Sequence, residues 1–112
     1  MKDCLFCKII KGEIPSEKVY EDDFVYAFKD INPLAPIHIL IIPKNHISSA
    51  NEITPENSTV ISKIFEVIPK IAKEQNIENG FRIVTNTGKD ALQSVFHIHF
   101  HLLAGKTLSP SM

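Results

Sequence analysis

Apolar and polar residues alternate along residues 97–103, which read His-Ile-His-Phe-His-Leu-Leu. Successive side chains of a β-strand point to opposite faces of the sheet. The pattern therefore predicts a strand that places His97, His99 and His101 on one face and apolar residues on the other. We expect the apolar face to join the core. A single histidine would fit an ordinary solvated face, but three in register favour a chemical role.

Four other apolar segments have the length and composition of β-strands, and turn residues bound them. They cover residues 18–20, 24–28, 37–42 and 81–86. The acidic residues 21–23 between the first two predict a tight hairpin. The connection at residues 30–36 is long for a hairpin and contains two prolines, which is typical of a functional loop.

Two helices are predicted. Residues 8–11, followed by a glycine, indicate one short helical turn. Thr54 supplies an N-cap and Pro55 fits the first helical position of a long amphipathic helix that runs to about Gln75. Pro69 lies inside this helix, so we expect a bend near residues 65–69. The apolar positions at helical spacing are Val60, Ile61, Ile64, Phe65, Ile68, Ile71 and Ala72.

Five strands and one main helix favour an α+β fold built on an antiparallel sheet. The pattern leaves the order of the strands open. A chain of 112 residues that is 44% hydrophobic has the size of one domain with one core. We therefore expect residues 1–112 to form a single domain.

Charge and hydropathy limit the partners. The formal net charge is −1 and Arg82 is the single arginine, so we expect neither nucleic acid nor an anionic membrane to bind. No apolar segment approaches the roughly 18 residues that a membrane helix needs. The first residues lack the apolar core of a signal peptide, and a cytoplasmic protein is expected.

The three histidines at residues 97–103 allow two kinds of chemistry. Along a strand, His97 and His101 are separated by about 13 Å, whereas zinc ligands lie about 2 Å from the metal. All three cannot readily bind one ion, although two neighbours could. The alternative makes His99 a nucleophile or base. An imidazole with a pKa of about 6.5 is about three-quarters neutral at pH 7, and we prefer this assignment.

The histidine motif and several other segments resemble the histidine-triad (HIT) family, specifically its nucleotide-binding, purine-nucleoside phosphoramidase branch. The resemblance runs from Cys4 to Gly105 and includes residues 6–15, 28–38, 41–47, 86 and 93–96. It implies a five-stranded sheet and a homodimer whose long helices pack side by side. Leu92 departs from the pattern, because this branch usually has glycine there. Leucine disfavours positive φ, so we expect the loop to differ in shape or to carry strain.

The resemblance implies a role for each site residue. His99 attacks phosphorus, while His101 and Ser94 stabilise the phosphoryl oxygens and His38 orients His99. Asp30 binds the ribose hydroxyls. Taken singly, each residue is also credible as core or as part of a turn. The implied nucleotide-binding residues are Phe6, Ile9, Phe28, Asp30, Ile31, Asn86, Gln93, Ser94, His99 and His101.

Cys4 and Cys7 form a Cys-x-x-Cys pair. Too little chain precedes them for the usual redox motif, and the cytoplasm disfavours a disulfide. A zinc site needs two more ligands, which must be histidines because the chain has no other cysteine. Family members with this pair bind zinc through positions that match Cys4, Cys7, His46 and His97. The resemblance thus implies a structural zinc; two free buried thiols are the alternative.

The function predicted on these grounds is hydrolysis of a purine nucleoside 5'-phosphoramidate or a related adenylate through a nucleotidyl-histidine. No catalytic metal or organic cofactor is expected. The alternatives are a dinucleoside polyphosphate hydrolase, a nucleotide-binding regulatory module with negligible turnover, and a metalloenzyme that uses two triad histidines as ligands. A homodimer is expected to place Val60, Ile64, Ile68 or their neighbours near its two-fold axis.

Overall fold

The computed structural model describes residues 3–110, which contain five strands and two α-helices. The sheet is antiparallel throughout, in the order β1-β2-β3-β5-β4. This confirms the predicted α+β class. The elements are α1 (Leu5–Ile10), β1 (Lys18–Glu21), β2 (Val25–Lys29), β3 (Ile37–Pro43), α2 (Thr59–Glu74), β4 (Arg82–Val84) and β5 (Phe100–Ala104), with short 3₁₀ turns at Ala50–Glu52 and Lys89–Ala91. No helix in the described part of the chain is long and apolar enough to cross a membrane.

Helix α2 covers one face of the sheet. Five positions of the predicted stripe are buried against strand residues such as Val25, Ile41 and Leu102. Ile61 is half-buried and Phe65 is 47% exposed. Val60, Ile64 and Ile68 lie in this core and pack against the chain's own sheet. The expectation that they or their neighbours lie near the two-fold axis of a homodimer stays a prediction.

The predicted start of the long helix was wrong by four residues. The amide of Thr54 donates to the side chain of Asn57 at 2.8 Å, and the amide of Ser58 donates to the carbonyl of Thr54 at 2.9 Å. These bonds form turns that lead into a helix beginning at Thr59. Pro69 lies inside the helix, which continues past it to Glu74.

Helix α1 packs on the other face of the sheet. Its N-cap is Cys4, whose sulfur accepts a hydrogen bond from the amide of Cys7 at 3.3 Å, and it ends before Gly12, which has a φ of +80°. The buried residues of this second cluster are Cys4, Phe6, Cys7, Ile9, Tyr26, Phe28, Leu40 and Ile42. The sheet therefore separates an apolar core under α2 from a face on which α1 meets the histidine segment.

The histidine segment is only partly a strand. Regular pairing begins at Phe100. Residues 97–99 lie before the strand, and there the amide of Ile98 donates to the carbonyl of Ile47 at 2.6 Å. The predicted alternation still holds. Ile98, Phe100 and Leu102 enter the core under α2, whereas His97 and His99 are buried among the groups of the opposite face.

Candidate functional site

A cavity of about 320 Å³ opens between α1, the loop after β2 and the histidine segment. This volume is at the lower end of the range for small-molecule sites. One part is apolar and the other presents imidazole, carboxylate and hydroxyl groups. Of the predicted nucleotide-binding residues, Phe6, Ile9, Phe28, Asp30, Ile31, Ser94, His99 and His101 line this cavity.

His99 lies at the inner wall of the cavity and is only 3% exposed. Its Nδ1 lies 2.8 Å from the backbone carbonyl of His97. A carbonyl only accepts hydrogen bonds, so Nδ1 must carry the proton. Nε2 of the neutral ring then holds a free lone pair. The ring of Phe6 packs edge-to-face against this imidazole at 5.0 Å and restricts its orientation.

His38 and His101 form a second directed pair. The amide of Leu34 donates to Nδ1 of His38 at 3.0 Å, so the proton of neutral His38 is on Nε2. Nε2 of His38 lies 2.9 Å from Nδ1 of His101 and donates to it. The proton of His101 is consequently on its Nε2. The loop at residues 30–36 thereby fixes the tautomer of His101.

This arrangement corrects the predicted role of His38. Sequence reasoning gave His38 the task of orienting His99, but the side chain bonds to His101, and His97 orients His99 through its carbonyl. The strand register explains the difference. His101 lies opposite Leu40, two residues after His38 on the same face of β3, which makes the two histidines diagonal neighbours.

The imidazoles of His99 and His101, which line the cavity, and of His38 behind them are held neutral near pH 7. Burial lowers the pKa of His99 and of His38. The pKa of His101 falls to about 4 because burial disfavours its charged form, and the neighbouring His99 and His38 lower it further. Each ring therefore presents the one donor and one acceptor that its hydrogen bonds assign to it.

Asp30 makes the turn interaction that was one of the two roles predicted for it. One carboxylate oxygen accepts from the amide of Asn32 at 2.8 Å, which is the turn interaction, and the other lies 3.4 Å from Nε2 of His38. A carboxylate offers about four acceptor positions. The side chain is 19% exposed and lines the cavity, so acceptor capacity remains for a ligand.

Gln93 and Asn86 do not line the cavity. The amide nitrogen of Gln93 donates to the carbonyls of Ser48 and Val95, and its oxygen accepts from the amide of Gly88 at 2.8 Å. These bonds use both of its N–H groups, so Gln93 organises the loop that presents Ser94. Asn86 is half-buried, two residues beyond the end of β4.

Leu92 adopts the conformation that its position suggested. Its φ of +60° and ψ of 41° are left-handed, and its side chain is 85% exposed. A β-carbon in this conformation costs roughly 1 to 2 kcal/mol. The expected strain in the loop is therefore present.

Sequence reasoning missed two positioning groups. The hydroxyl of Thr85 donates to the carbonyl of His99 at 2.8 Å, and the amide of Leu34 sets the tautomer of His38. Nothing in the local pattern distinguishes Thr85 from any strand-end threonine. The two prolines of the 30–36 loop did indicate a rigid segment, but an interaction of its backbone with His38 has no signature in the sequence.

Four potential metal ligands converge beside α1. Nδ1 of His97 lies 3.3 Å from the sulfur of Cys4 and 3.6 Å from that of Cys7, and Nδ1 of His46 lies 3.4 Å from the sulfur of Cys7. All four ligand atoms lie within 4.8 Å of one another. Nε2 of His97 donates to the carbonyl of Pro43 at 2.8 Å, so the Nδ1 lone pair faces the sulfurs. These residues, which connect α1 to the sheet, can hold a metal ion.

The protonation of the four groups suits metal binding. Burial lowers the pKa of His46, and it lowers that of His97 to about 4, so both rings are neutral ligands. Burial and the neighbouring Cys4 raise the pKa of the Cys7 thiol. A cation would reverse that preference by stabilising the thiolate.

Asp30, His38 and His101 form a second group whose ligand atoms are within 4.8 Å of one another. Binding an ion through Nε2 of His38 would require its proton on Nδ1, where the amide of Leu34 already donates. The Nδ1–H of His38 and the backbone N–H of Leu34 would then point at each other without an acceptor between them. The tautomers thus favour a hydrogen-bonded pair over a metal site.

A family model described as "Scavenger mRNA decapping enzyme C-term binding" matches residues 3–112. The purine nucleoside phosphoramidase of Escherichia coli K12 is 45% identical over 112 residues, which cover 99% of this chain and 94% of that protein. A 14 kDa zinc-binding protein of Zea mays is 45% identical over 94% of this chain and 84% of its own length.

Two solved structures share the fold at high identity. A histidine triad protein from Clostridium difficile has a TM-score of 0.96 and 51% identity, covering 100% of this chain and 98% of that one. A HIT family hydrolase from Clostridium thermocellum has the same TM-score and coverage at 48% identity. Together with the histidine motif and its geometry, these matches show that the chain belongs to the histidine-triad (HIT) family of hydrolases, in its bacterial Hint-like branch.

Proposed function

We propose that this chain hydrolyses purine nucleoside 5'-phosphoramidates or related adenylates through a covalent nucleotidyl-His99. The observation that carries the proposal is the tautomer of His99. Nδ1 of His99 donates its proton in a hydrogen bond to the carbonyl of His97. The other ring nitrogen, Nε2, therefore keeps its lone pair in a residue that lines the cavity. Burial keeps this ring neutral. A neutral, oriented imidazole is a competent nucleophile.

The proposed reaction has two displacements at phosphorus. Nε2 of His99 attacks, the P–N bond to the amine breaks, and the amine leaves after gaining a proton. Water then attacks the same phosphorus, breaks the bond to Nε2 and releases the nucleoside monophosphate. His101, with its Nε2–H, and Ser94, with its hydroxyl, are residues that line the cavity. They are donors for the phosphoryl oxygens, whose charge grows in each transition state.

The apolar part of the cavity suits a base. Phe6 and Phe28 meet edge-to-face at 5.6 Å, and Ile9 lies in the same buried cluster. Asp30 retains acceptor capacity for ribose hydroxyls. A purine nucleotide is thus the proposed ligand.

The charge of the cavity disfavours the dinucleoside polyphosphate alternative. Lys29 is the one lysine or arginine among the residues that line the cavity, and it is paired with Glu17 at 2.9 Å. A polyphosphate leaving group bears several negative charges that need cationic partners. An amine leaving group has no such requirement.

One experiment tests the reaction and separates it from the rivals. Protein in excess is mixed with radiolabelled adenosine 5'-phosphoramidate, with and without a chelator, and quenched within milliseconds to seconds. We expect an acid-labile phosphorus adduct that forms and decays in either condition. Turnover without an adduct, or turnover abolished at once by the chelator, would contradict the covalent mechanism. Tight binding with no turnover would identify a binding module.

We propose that Cys4, Cys7, His46 and His97 hold a structural zinc. A tetrahedral zinc with bonds of about 2.3 Å to sulfur and about 2.0 Å to nitrogen requires S to N separations of about 3.5 Å. The observed separations of 3.3 to 3.6 Å agree with this value. The ion would fasten α1, and with it Phe6, to the sheet. Elemental analysis is expected to give about one zinc per chain; metal-free protein of undiminished stability would contradict the assignment.

We propose a homodimer that uses the open side of the α2 face. Ile83 of β4, the edge strand, faces the same side of the sheet as Leu102 and is 36% exposed. Phe65 on α2 contacts Phe100 of β5 at 5.6 Å and is 47% exposed. Light scattering is expected to give twice the 12.6 kDa chain mass, and Phe65→Glu with Ile83→Glu to give the monomer. A wild-type monomer at micromolar concentration would refute the proposal.

A further inference from the structure

Cys4 and Cys7 are placed so that they can bond to each other as well as to a metal ion. The sulfur of Cys4 accepts a hydrogen bond from the amide of Cys7 at 3.3 Å, so it lies over the residue that carries the second thiol. The two sulfurs are within 4.8 Å of each other. Residues three apart in a helical turn are neighbours, and rotation about the Cα–Cβ bonds can bring their sulfurs to the roughly 2.05 Å of a disulfide.

Cys4 is the thiol that a small oxidant can reach. It lines a surface hollow of about 590 Å³, and Cys7 does not. Both side chains are otherwise buried, at 8% and 9% exposure. A reaction with an oxidant therefore begins at Cys4 and ends at Cys7, which is the order of an attacking and a resolving thiol.

We propose that Cys4 and Cys7 form a reversible oxidation site, at which a low-molecular-weight disulfide converts the two thiolates into a Cys4–Cys7 disulfide and displaces the zinc. The proposal rests on the zinc assignment made above and does not depend on phosphoramidase activity. A thiol pool that is mostly reduced keeps the pair as metal ligands, whereas a more oxidising pool converts it.

The chemistry consists of two thiol–disulfide exchanges. The Cys4 sulfur attacks one sulfur of the oxidant, whose S–S bond breaks and releases a first thiolate. The Cys7 sulfur then attacks the Cys4 sulfur of this mixed disulfide and releases a second thiolate. Two protein sulfurs are oxidised, and the oxidant is reduced to two thiols that take their protons from water. A thiolate binds a metal and a disulfide sulfur does not, so His46 and His97 remain as two of the four ligands that a structural zinc needs.

His97 and Phe6 connect the oxidation site to the cavity. Nδ1 of His97 lies beside the two sulfurs, while its carbonyl accepts the hydrogen bond that fixes the tautomer of His99. Phe6 lies between the two cysteines in the chain, and its ring packs edge-to-face on His99 at 5.0 Å and on His97 at 5.9 Å. Loss of the metal therefore loosens both groups that orient His99, and α1 opens locally more often.

Mixtures of oxidised and reduced glutathione test the site on zinc-loaded protein, with free zinc fixed by a metal buffer. Intact mass distinguishes the internal disulfide, which lacks two hydrogen atoms, from a glutathione adduct. We expect about one zinc to be released per disulfide. Because zinc holds only the reduced form, each tenfold rise in free zinc should raise about tenfold the ratio of oxidised glutathione to the square of reduced glutathione at half-oxidation.

Hydrogen exchange reports the link to the cavity without the use of a substrate. The amides of residues 5–10 are expected to exchange at least about tenfold faster in the oxidised protein, because the helix has lost its anchor. Dithiothreitol with added zinc is expected to restore the original mass, metal content and exchange rates.

Cys7→His is the matched control, since it keeps a potential zinc ligand and cannot close a disulfide. It is expected to retain zinc at the glutathione ratio that half-oxidises wild type, because an adduct on Cys4 alone lacks the favourable intramolecular second step. Zinc release from this variant equal to that from wild type would show that ring closure is not the cause.

The outcomes separate this proposal from the earlier ones. Zinc-loaded wild type that forms only glutathione adducts, or whose oxidation is independent of free zinc, would overturn the oxidation site. Zinc release with unchanged exchange in α1 would overturn its link to His99. Protein that binds no zinc would overturn the zinc assignment and this site with it. Absence of turnover would refute only the hydrolase proposal, because none of these measurements uses turnover.

Discussion

Replacing His99 is the most direct test of the geometry at the cavity wall. His99→Asn retains a side-chain N–H that can donate to the carbonyl of His97, as Nδ1 does at 2.8 Å, but it has no counterpart of Nε2. The variant leaves Phe28 and Asp30, to which the base and ribose contacts are assigned in the proposal, unchanged, and Phe6 loses only its edge-to-face contact with the imidazole. We therefore expect nucleotide affinity to stay within about threefold, while kcat falls by about three to six orders of magnitude, as when a covalent nucleophile is removed.

The decreases in kcat expected for His101→Ala and His38→Ala are smaller than the decrease expected for His99→Asn. Removing His101 deletes one donor to the phosphoryl oxygens, which is typically about 10²- to 10³-fold in kcat, or about 2.7 to 4 kcal/mol. Removing His38 leaves that donor in place, but His101 is no longer held in one tautomer. Activity then falls only by the fraction of molecules in which the proton of His101 is on Nδ1. We expect roughly a tenfold decrease. The predicted order of damage is His99, then His101, then His38.

The assay combines calorimetric binding of AMP with single-turnover kinetics, and melting curves confirm that each variant is folded. Two results would refute the reasoning. One is substantial turnover by His99→Asn with an adduct trapped on another residue. The other is equal damage from His99→Asn and His101→Ala, which is the signature of two ligands of one catalytic metal.

Further predictions concern stability. Cys4→Ser or Cys7→Ser should lose metal and thermal stability together, as measured by elemental analysis and calorimetry. Leu92→Gly should raise the melting temperature by about 2 to 6 °C by relieving the left-handed backbone at φ +60°, whereas Leu92→Ala should not raise it; equal melting temperatures would exclude strain. Hydrogen bonds from Lys44 and Lys18 lower the pKa of Glu21, so its contribution is complete above the unfolded pKa of about 4.3 and is lost as pH falls through the lower folded value. Denaturant titrations of wild type and Glu21→Gln should therefore converge in acid; a constant difference would contradict this linkage.

The sequence predicted the sheet because each strand had one consistent interpretation. The alternation at residues 97–103 admits only one assignment of faces, and Ile98, Phe100 and Leu102 are buried as it requires. The order of the strands depends on pairings between distant segments, which no local pattern contains. The start of α2 was misplaced because Thr54 is as good a turn residue as it is an N-cap, and the side chain of Asn57 decides between them.

The sequence predicted most of the residues that line the candidate site, but not the hydrogen bonds between them. The family resemblance implied that His38 lies near the histidine triad. Whether it contacts His99 or His101 depends on the register of β3 against β5, in which Leu40 lies opposite His101. The tautomers depend on two backbone groups, the carbonyl of His97 and the amide of Leu34. Backbone groups are the same in every residue type, so the sequence gives no sign of them.

The two faces of the histidine segment are linked by the geometry of the strand. Because side chains alternate, a slip of one residue would exchange Phe100 for a histidine in the core under α2. The register that buries the apolar side chains under α2 therefore also places the imidazoles on the opposite face of the sheet. The tautomer of His101 has a separate origin, since it depends on the 30–36 loop, where Leu34 is 76% exposed and outside the core. Catalysis can therefore be altered through this loop without a matching loss of stability, whereas core substitutions should reduce activity only by lowering the folded fraction.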